Sequence, residues 1–246
     1  INKKFKVSII QLLENFRIKK NLIKKGLKLS LTSIITSACA FIFYELDNLF
    51  LAQKSDLISI SFYSIAALGP FVLKAVFSLI YSPFNSIFNY LKNDKSLYRD
   101  YFKKSVIFFF PITFIGIITI ILFSEELIFS YVGPNYVNSI WPFIYLCLAW
   151  SFSFIIYPTG IYLFSMEFNK RILLCGLIPP LVFWTLNFYH LEFQENISIE
   201  IFCLNKMYSN LTILPLYLYY LVKDRFINLN LTVKLLKSVF FSSLVL

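Results

Sequence analysis

The chain is poor in charge. Asp, Glu, Lys and Arg make up 15% of its 246 residues, against about 25% in a soluble domain, so a solvated surface on all sides is excluded. Histidine occurs once, at His190. The four cysteines, Cys39, Cys147, Cys175 and Cys203, fall in separate apolar segments without CxxC or metal-ligand spacing. Zinc chemistry, a disulfide framework and a histidine-based triad therefore have nothing to rest on. There is no phosphate-cradling glycine loop, no HExxH, and no carboxylate pair at a spacing that suits sugar hydrolysis. The connections between apolar runs are too short for a soluble catalytic domain. No metal, no cofactor and no enzymatic activity are expected.

What is present is apolar. Hydrophobic residues reach 58% and aromatics 20%, and the mean hydropathy is +0.71. A soluble chain of this length would be left with large exposed apolar patches. Six segments, near 27–51, 58–90, 105–124, 139–165, 171–189 and 198–222, are long enough to span a bilayer as helices. A seventh begins near Leu235. The expected fold is all-α, a polytopic transmembrane helix bundle occupying residues 27–246 behind a basic segment, 1–26. That segment reads either as an amphipathic helix on the membrane surface or as a charged cytoplasmic loop.

The net charge of +10 is placed for a membrane rather than for nucleic acid. Basic residues crowd the segment up to Lys28, the second connection (Lys92, Lys95, Arg99, Lys103, Lys104), the fourth (Lys170, Arg171) and the sixth (Lys223, Arg225, Lys234, Lys237). The first connection holds Lys54 alone, and the third and fifth hold none. This alternation puts the basic side in the cytoplasm, with the N-terminal segment there and the membrane lipids as partners.

Polar residues inside the spans form stripes. In Asp56–Leu91, Tyr63, Ala67, Pro70, Lys74, Ser78, Tyr81 and Asn85 recur at steps of three and four, on one helical face. An ammonium at membrane depth costs roughly 2.5–3.5 kcal/mol on insertion scales. Lys74 thus either marks a pathway or is neutralised by snorkelling or by a carboxylate on a neighbouring helix. The first span carries Ser30, Ser33, Ser37, Ala40, Tyr44 and Asp47 on one face. Asp47 continues that stripe into a lumen or simply caps a solvated end, while Glu45, about 160° away around the helix, points elsewhere. The sixth span repeats the pattern weakly with Asn205, Ser209, Thr212 and Tyr219, and Lys206 lies beside it. Pro70, Pro158, Pro179-Pro180 and Pro215 promise bends or breaks in four spans, and Gly133-Pro134 should end one short outer helix.

The order of local motifs is also informative. A span ends in Glu45-Leu-Asp47-Asn-Leu-Phe-Leu-Ala52, and Phe62-Tyr63-Ser64-Ile65-Ala66 opens a long helix closing on Tyr81-Ser82-Pro83-Phe84. Gly133-Pro-Asn-Tyr136 then precedes Ile140-Trp-Pro-Phe-Ile-Tyr-Leu-Cys-Leu-Ala149. Over residues 20–165 this resembles the polysaccharide transporter (O-antigen flippase-like) family of the multidrug/oligosaccharidyl-lipid/polysaccharide exporter superfamily. Ser61 stands where that family usually has glycine. The resemblance implies that the chain is the second bundle of a MATE-like transporter with 12 to 14 helices, the first bundle being its partner, in a bacterial cytoplasmic membrane. The cargo it implies is an undecaprenyl-pyrophosphate-linked oligosaccharide, flipped to the outer leaflet by alternating access for O-antigen or capsule synthesis. Cavity candidates are Lys74, Asp47, Tyr63, Tyr81, Asn85, Ser33, Ser37 and Tyr44. Asp47 is expected to pair with Lys74 in one state or to carry a coupling cation. The competing expectations are a cation-coupled multidrug exporter, a membrane-embedded polysaccharide polymerase or glycosyltransferase, and an accessory assembly protein.

The charge alternation makes a direct prediction. Fusions ending after Lys95 should be fluorescent with a cytoplasmic reporter, and fusions ending after Glu126 should be active with an exported phosphatase. The opposite pattern overturns the orientation.

Overall fold

Short polar side chains start three of the helices. Asp56 accepts a hydrogen bond from the Ser59 amide (2.9 Å) and begins a 35-residue helix, Leu57–Leu91. Asp94 accepts from the amides of Ser96 (3.0 Å) and Leu97 (3.1 Å) ahead of Lys95–Leu122. Ser198 accepts from the Ile201 amide (3.2 Å) ahead of Ile199–Leu211. Each cap satisfies amides that the helix itself leaves unpaired. The computed structural model describes residues 20–155, 157–193, 197–224 and 226. The readings of the basic N-terminal stretch before Lys20 and of a seventh span from Leu235 lie outside them.

The elements in chain order are α1 (Lys20–Tyr44), α2 (Asp47–Lys54), α3 (Leu57–Leu91), α4 (Lys95–Leu122), α5 (Ser124–Val132), a 3-10 segment (Pro134–Ser139), α6 (Ile140–Ile155), α7 (Tyr157–Ser165), α8 (Asn169–Phe193), α9 (Ile199–Leu211) and α10 (Ile213–Lys223). No strand occurs among the described residues. Five stretches are long and apolar enough to cross a membrane: Gly26–Lys54, Leu57–Leu91, Lys95–Leu122, Pro134–Ile155 and Asn169–Phe193.

Several boundaries differ from the expected ones, each for a local reason. The connection from Lys95 to Lys104 is not a loop but the first turns of α4, its start fixed by Asp94. The segment expected to span at 198–222 forms two helices that meet at Thr212. Pro215 lacks the N–H that would bond the Leu211 carbonyl, so the helix restarts. The segment expected at 139–165 is helical over Ile140–Ile155 and Tyr157–Ser165, with Pro158 inside the second stretch. Pro179-Pro180, by contrast, does not break α8, which runs continuously from Asn169 to Phe193. The expected outer helix is present as α5, and Gly133 ends it with φ +91°, a conformation unfavourable for residues with a Cβ.

Helix α6 is the axis of the packing. The apolar part of Pro134–Ile155, which contains it, is half buried, against 11–28% for the other four stretches, and α6 packs against α3, α4 and α9. Helix α1 lies instead along α8, which joins it to α9. Two glycines permit the closest approaches. A Cβ on Gly69 would lie 2.2 Å from the Phe143 ring and 2.8 Å from Cys147 Sγ, and one on Gly176 would lie 2.9 Å from Thr36. The outward faces carry Leu27, Ile34, Phe71, Leu79, Ile107 and Leu181, all well exposed. Apolar surface on that scale belongs against lipid.

Gly69→Leu should therefore force α3 off α6, costing about 1–3 kcal/mol and lowering the unfolding midpoint in detergent. Gly116→Leu, where a Cβ meets nothing within 4 Å, should leave it unchanged.

Candidate functional site

The polar centre of the bundle forms where α1 gives way to α2. The helix stops at Tyr44, and the turn through Glu45 and Leu46 leaves Glu45 exposed while Asp47 enters the interior, 2% exposed. Asp47 lies in the first turn of α2, the end of a helix that favours a carboxylate. Its Oδ2 accepts hydrogen bonds from the Tyr63 hydroxyl of α3 and the Lys206 ammonium of α9. Asp47 and Lys206 form a sealed ion pair, their side chains 3% and 4% exposed. Removing either partner of such a pair strands a charge away from water.

Asp47 is thus not a solvated helix end, and in this structure its partner is Lys206 rather than Lys74. Three rings close over the ammonium: Phe43, Tyr44 and Phe183, with centroids 5.2, 5.4 and 5.4 Å from Nζ. Behind it, Asn210 donates to the Lys206 carbonyl (3.2 Å) and accepts from Ser153 (3.1 Å) and Tyr44 (3.5 Å). Asn205 donates to Asn187 (3.0 Å), which donates to the Phe183 carbonyl (2.9 Å). Asn205 and Ser209 of the weak stripe on the sixth segment are therefore buried in a polar network, whereas Thr212 is half-buried and Tyr219 is exposed.

The stripe on α3 divides in two. Tyr63, Pro70 and Tyr81 are buried, whereas Lys74 and Ser78, displaced by about 40–80° around the helix, are exposed and Asn85 is half-buried. Lys74 Nζ lies 5.4 Å from the centroid of Trp150, and Trp150 stacks on Tyr44 at 4.7 Å. Trp150 also meets Phe154 at 5.9 Å. Tyr81 donates to the Phe154 carbonyl (2.6 Å) and packs on Tyr157 at 4.1 Å, whose hydroxyl accepts from Asn85 (3.1 Å). Rings on α6 and α7 thus connect Lys74, Tyr44, Tyr81 and Asn85, and Tyr44 links them to Lys206, Asp47 and Tyr63. Ser37 is exposed on α1, two turns before Tyr44, and Ser33 is half-buried there.

The ends of the bundle are built differently. On the basic side, Arg171 at the start of α8 pairs with Asp224 just past α10, and Tyr162 of α7 donates to the same carboxylate (2.7 Å). The guanidinium lies between Phe168 and Tyr220, 4.3 and 4.8 Å from their centroids. On the opposite side a cleft of about 770 Å³ is lined by Phe62, Trp141, Glu125, Glu126 and Glu200 among others. Its acids occupy the first turns of α5 and α9, where the helix dipole accounts for them.

No group of three His, Cys, Asp or Glu residues among the described ones is placed to hold a metal ion. Comparison with protein families, with curated proteins and with solved structures finds no match to this chain. Its function has to be argued from the geometry above.

The Arg171–Asp224 pair has a definite pH response. Burial alone would raise the Asp224 carboxyl, but the bonds from Arg171 and Tyr162 and the charges of Arg171 and Lys223 outweigh it and hold the carboxyl below the ordinary carboxylate value. A depressed acid stabilises the fold above its unfolded pKa, and that contribution disappears as pH falls through the folded value. The wild-type chain should be more stable than Asp224→Asn at pH 7, and the difference should shrink as the pH is lowered from 5 towards 3. A constant difference would show that the pair does not titrate as described.

Proposed function

We propose that this chain is the second helical bundle of a lipid-linked oligosaccharide flippase, working by alternating access in a bacterial cytoplasmic membrane with its basic side in the cytoplasm. The observation that carries the reading is Lys74. It is an exposed cation near the middle of a 35-residue apolar helix, seated on the ring of Trp150 and outside the buried Asp47–Lys206 pair. Against lipid such a group is costly, so its flank belongs to a water-filled or protein-lined compartment.

The neighbourhood suits an anionic, sugar-bearing cargo. Lys74 offers a charge for a pyrophosphate. Trp150 and Tyr44 offer flat amphipathic faces for sugar rings, and Ser37, Asn85 and Ser78 offer hydrogen-bonding groups along the same compartment. The division of the sixth segment at Thr212 fits transporters built with interrupted helices. A first bundle would close the compartment from the other side, giving the two-bundle, MATE-like arrangement that the motif resemblance implies, with six spans in this half and a seventh beginning near Leu235. The proposed action is movement of cargo without covalent chemistry. A cation-coupled drug exporter should place free carboxylates in its compartment, and here Asp47 is sealed against Lys206 while Glu45 turns away from it.

The test is complementation of a strain whose surface polysaccharide depends on the full-length transporter. Lys74→Ala should abolish the polysaccharide at normal protein level, and Lys74→Arg should retain most of it. Unchanged polysaccharide with Lys74→Ala at normal level overturns the reading.

A further inference from the structure

The Lys206 ammonium occupies a place with the chemistry of a cation-binding site. The Asp47 carboxylate supplies the charge, and the Tyr63 hydroxyl bonds to the same oxygen. The rings of Phe43, Tyr44 and Phe183 surround Nζ at 5.2–5.4 Å. A carboxylate combined with π faces in a water-poor pocket is a general solution for holding an organic cation. The other carboxylate oxygen, Oδ1, is buried and has no hydrogen-bond partner, so the carboxylate retains capacity to bind. The site also joins three elements: Asp47 begins α2, Tyr63 lies in α3 and Lys206 lies in α9.

We infer that Lys206 is a tethered cation. Its side chain fills a cation site built by Asp47, Tyr63 and three aromatic rings, and the bundle therefore holds α2 against α9 without drawing a dissolved cation into that site. Without the lysine side chain, the site would take a small primary alkylammonium. n-Propylammonium has the length of the atoms that Lys206→Ala removes, three carbons and the nitrogen, and ethylammonium is one carbon shorter. Their –NH3+ groups can donate to Asp47 while their carbons lie along the rings. Lys74 differs on each count, being exposed and held over a single ring rather than sealed against a carboxylate. The inference concerns the integrity of the bundle and does not rest on the nature of the cargo, so it stands or falls independently of the flippase reading.

The experiment is thermal unfolding of the full chain purified in detergent, at constant ionic strength. Wild type should show the same midpoint in sodium, lithium, potassium or choline chloride. Lys206→Ala should lower the midpoint by roughly 10 °C, and millimolar ethylammonium or n-propylammonium should recover most of the loss while choline recovers none. A wild-type midpoint raised selectively by sodium or lithium overturns the inference, because a dissolved cation would then still be bound. So does a folded Lys206→Ala chain that neither alkylammonium restores. If Lys206→Ala does not fold, Lys206→Met and the double variant Asp47→Asn/Lys206→Met decide the matter. The double variant, with both charges gone, should recover most of the yield and midpoint lost by Lys206→Met alone. Equal loss in the two variants overturns the inference.

Discussion

A carboxylate and an ammonium buried together in an otherwise apolar bundle dictate much of the rest of this structure. Neither Asp47 nor Lys206 tolerates the interior alone, and the cost of stranding one exceeds that of most single substitutions. Their contact requires α1 to end at Tyr44, so that the first turn of α2 presents Asp47 inward. It also requires α9 to approach closely enough for Lys206 to reach it. Tyr63 adds α3 to the same oxygen, and α3 in turn lies on α6 through the opening left by Gly69. The consecutive helices α1 to α3 are thereby held in register with the distant α6 and α9.

The aromatic content follows from that arrangement. Phe43, Tyr44 and Phe183 cover the ammonium, Trp150 backs Tyr44, and rings on α6 and α7 continue the contact towards Asn85. Aromatic side chains suit such a place because they exclude water and still offer a favourable face to a cation. The same rings link a sealed cation at one end with an exposed one, Lys74, at the other. The two lysines look alike in sequence, each a lone basic residue in a long apolar run. Their surroundings give them different work.

Much of the helical organisation was legible in the residues. Asp56 and the apolar run after it place α3 within a residue of its observed ends, and the Gly133-Pro134 pair ends α5 where it should. Asp47 and Glu45 do part as their spacing suggests, but through a turn at Glu45-Leu46 that ends α1 rather than through opposite faces of one continuous helix. What periodicity cannot show is the identity of a neighbour: it says that Asp47 faces inward, not that Lys206 rather than Lys74 meets it. It also misplaces boundaries that a side chain or a proline decides. Asp94 turns the Lys95–Lys104 stretch into helix, Pro215 divides the sixth segment, and Pro179-Pro180 leaves α8 continuous. Nothing in the spacing of residues singles out Trp150, and its place beside Lys74 emerges only once α3 and α6 are packed together.

The division at Thr212 has a mechanical meaning. A continuous helix transmits rotation from one end to the other through its ladder of hydrogen bonds. At Thr212 that ladder is interrupted, with the buried Asp47–Lys206 contact on α9 and the Arg171–Asp224 contact just beyond α10. The centre of the bundle and its basic end are therefore anchored by separate charges on separate rods with an articulation between them, and either anchor can yield without wrenching the other.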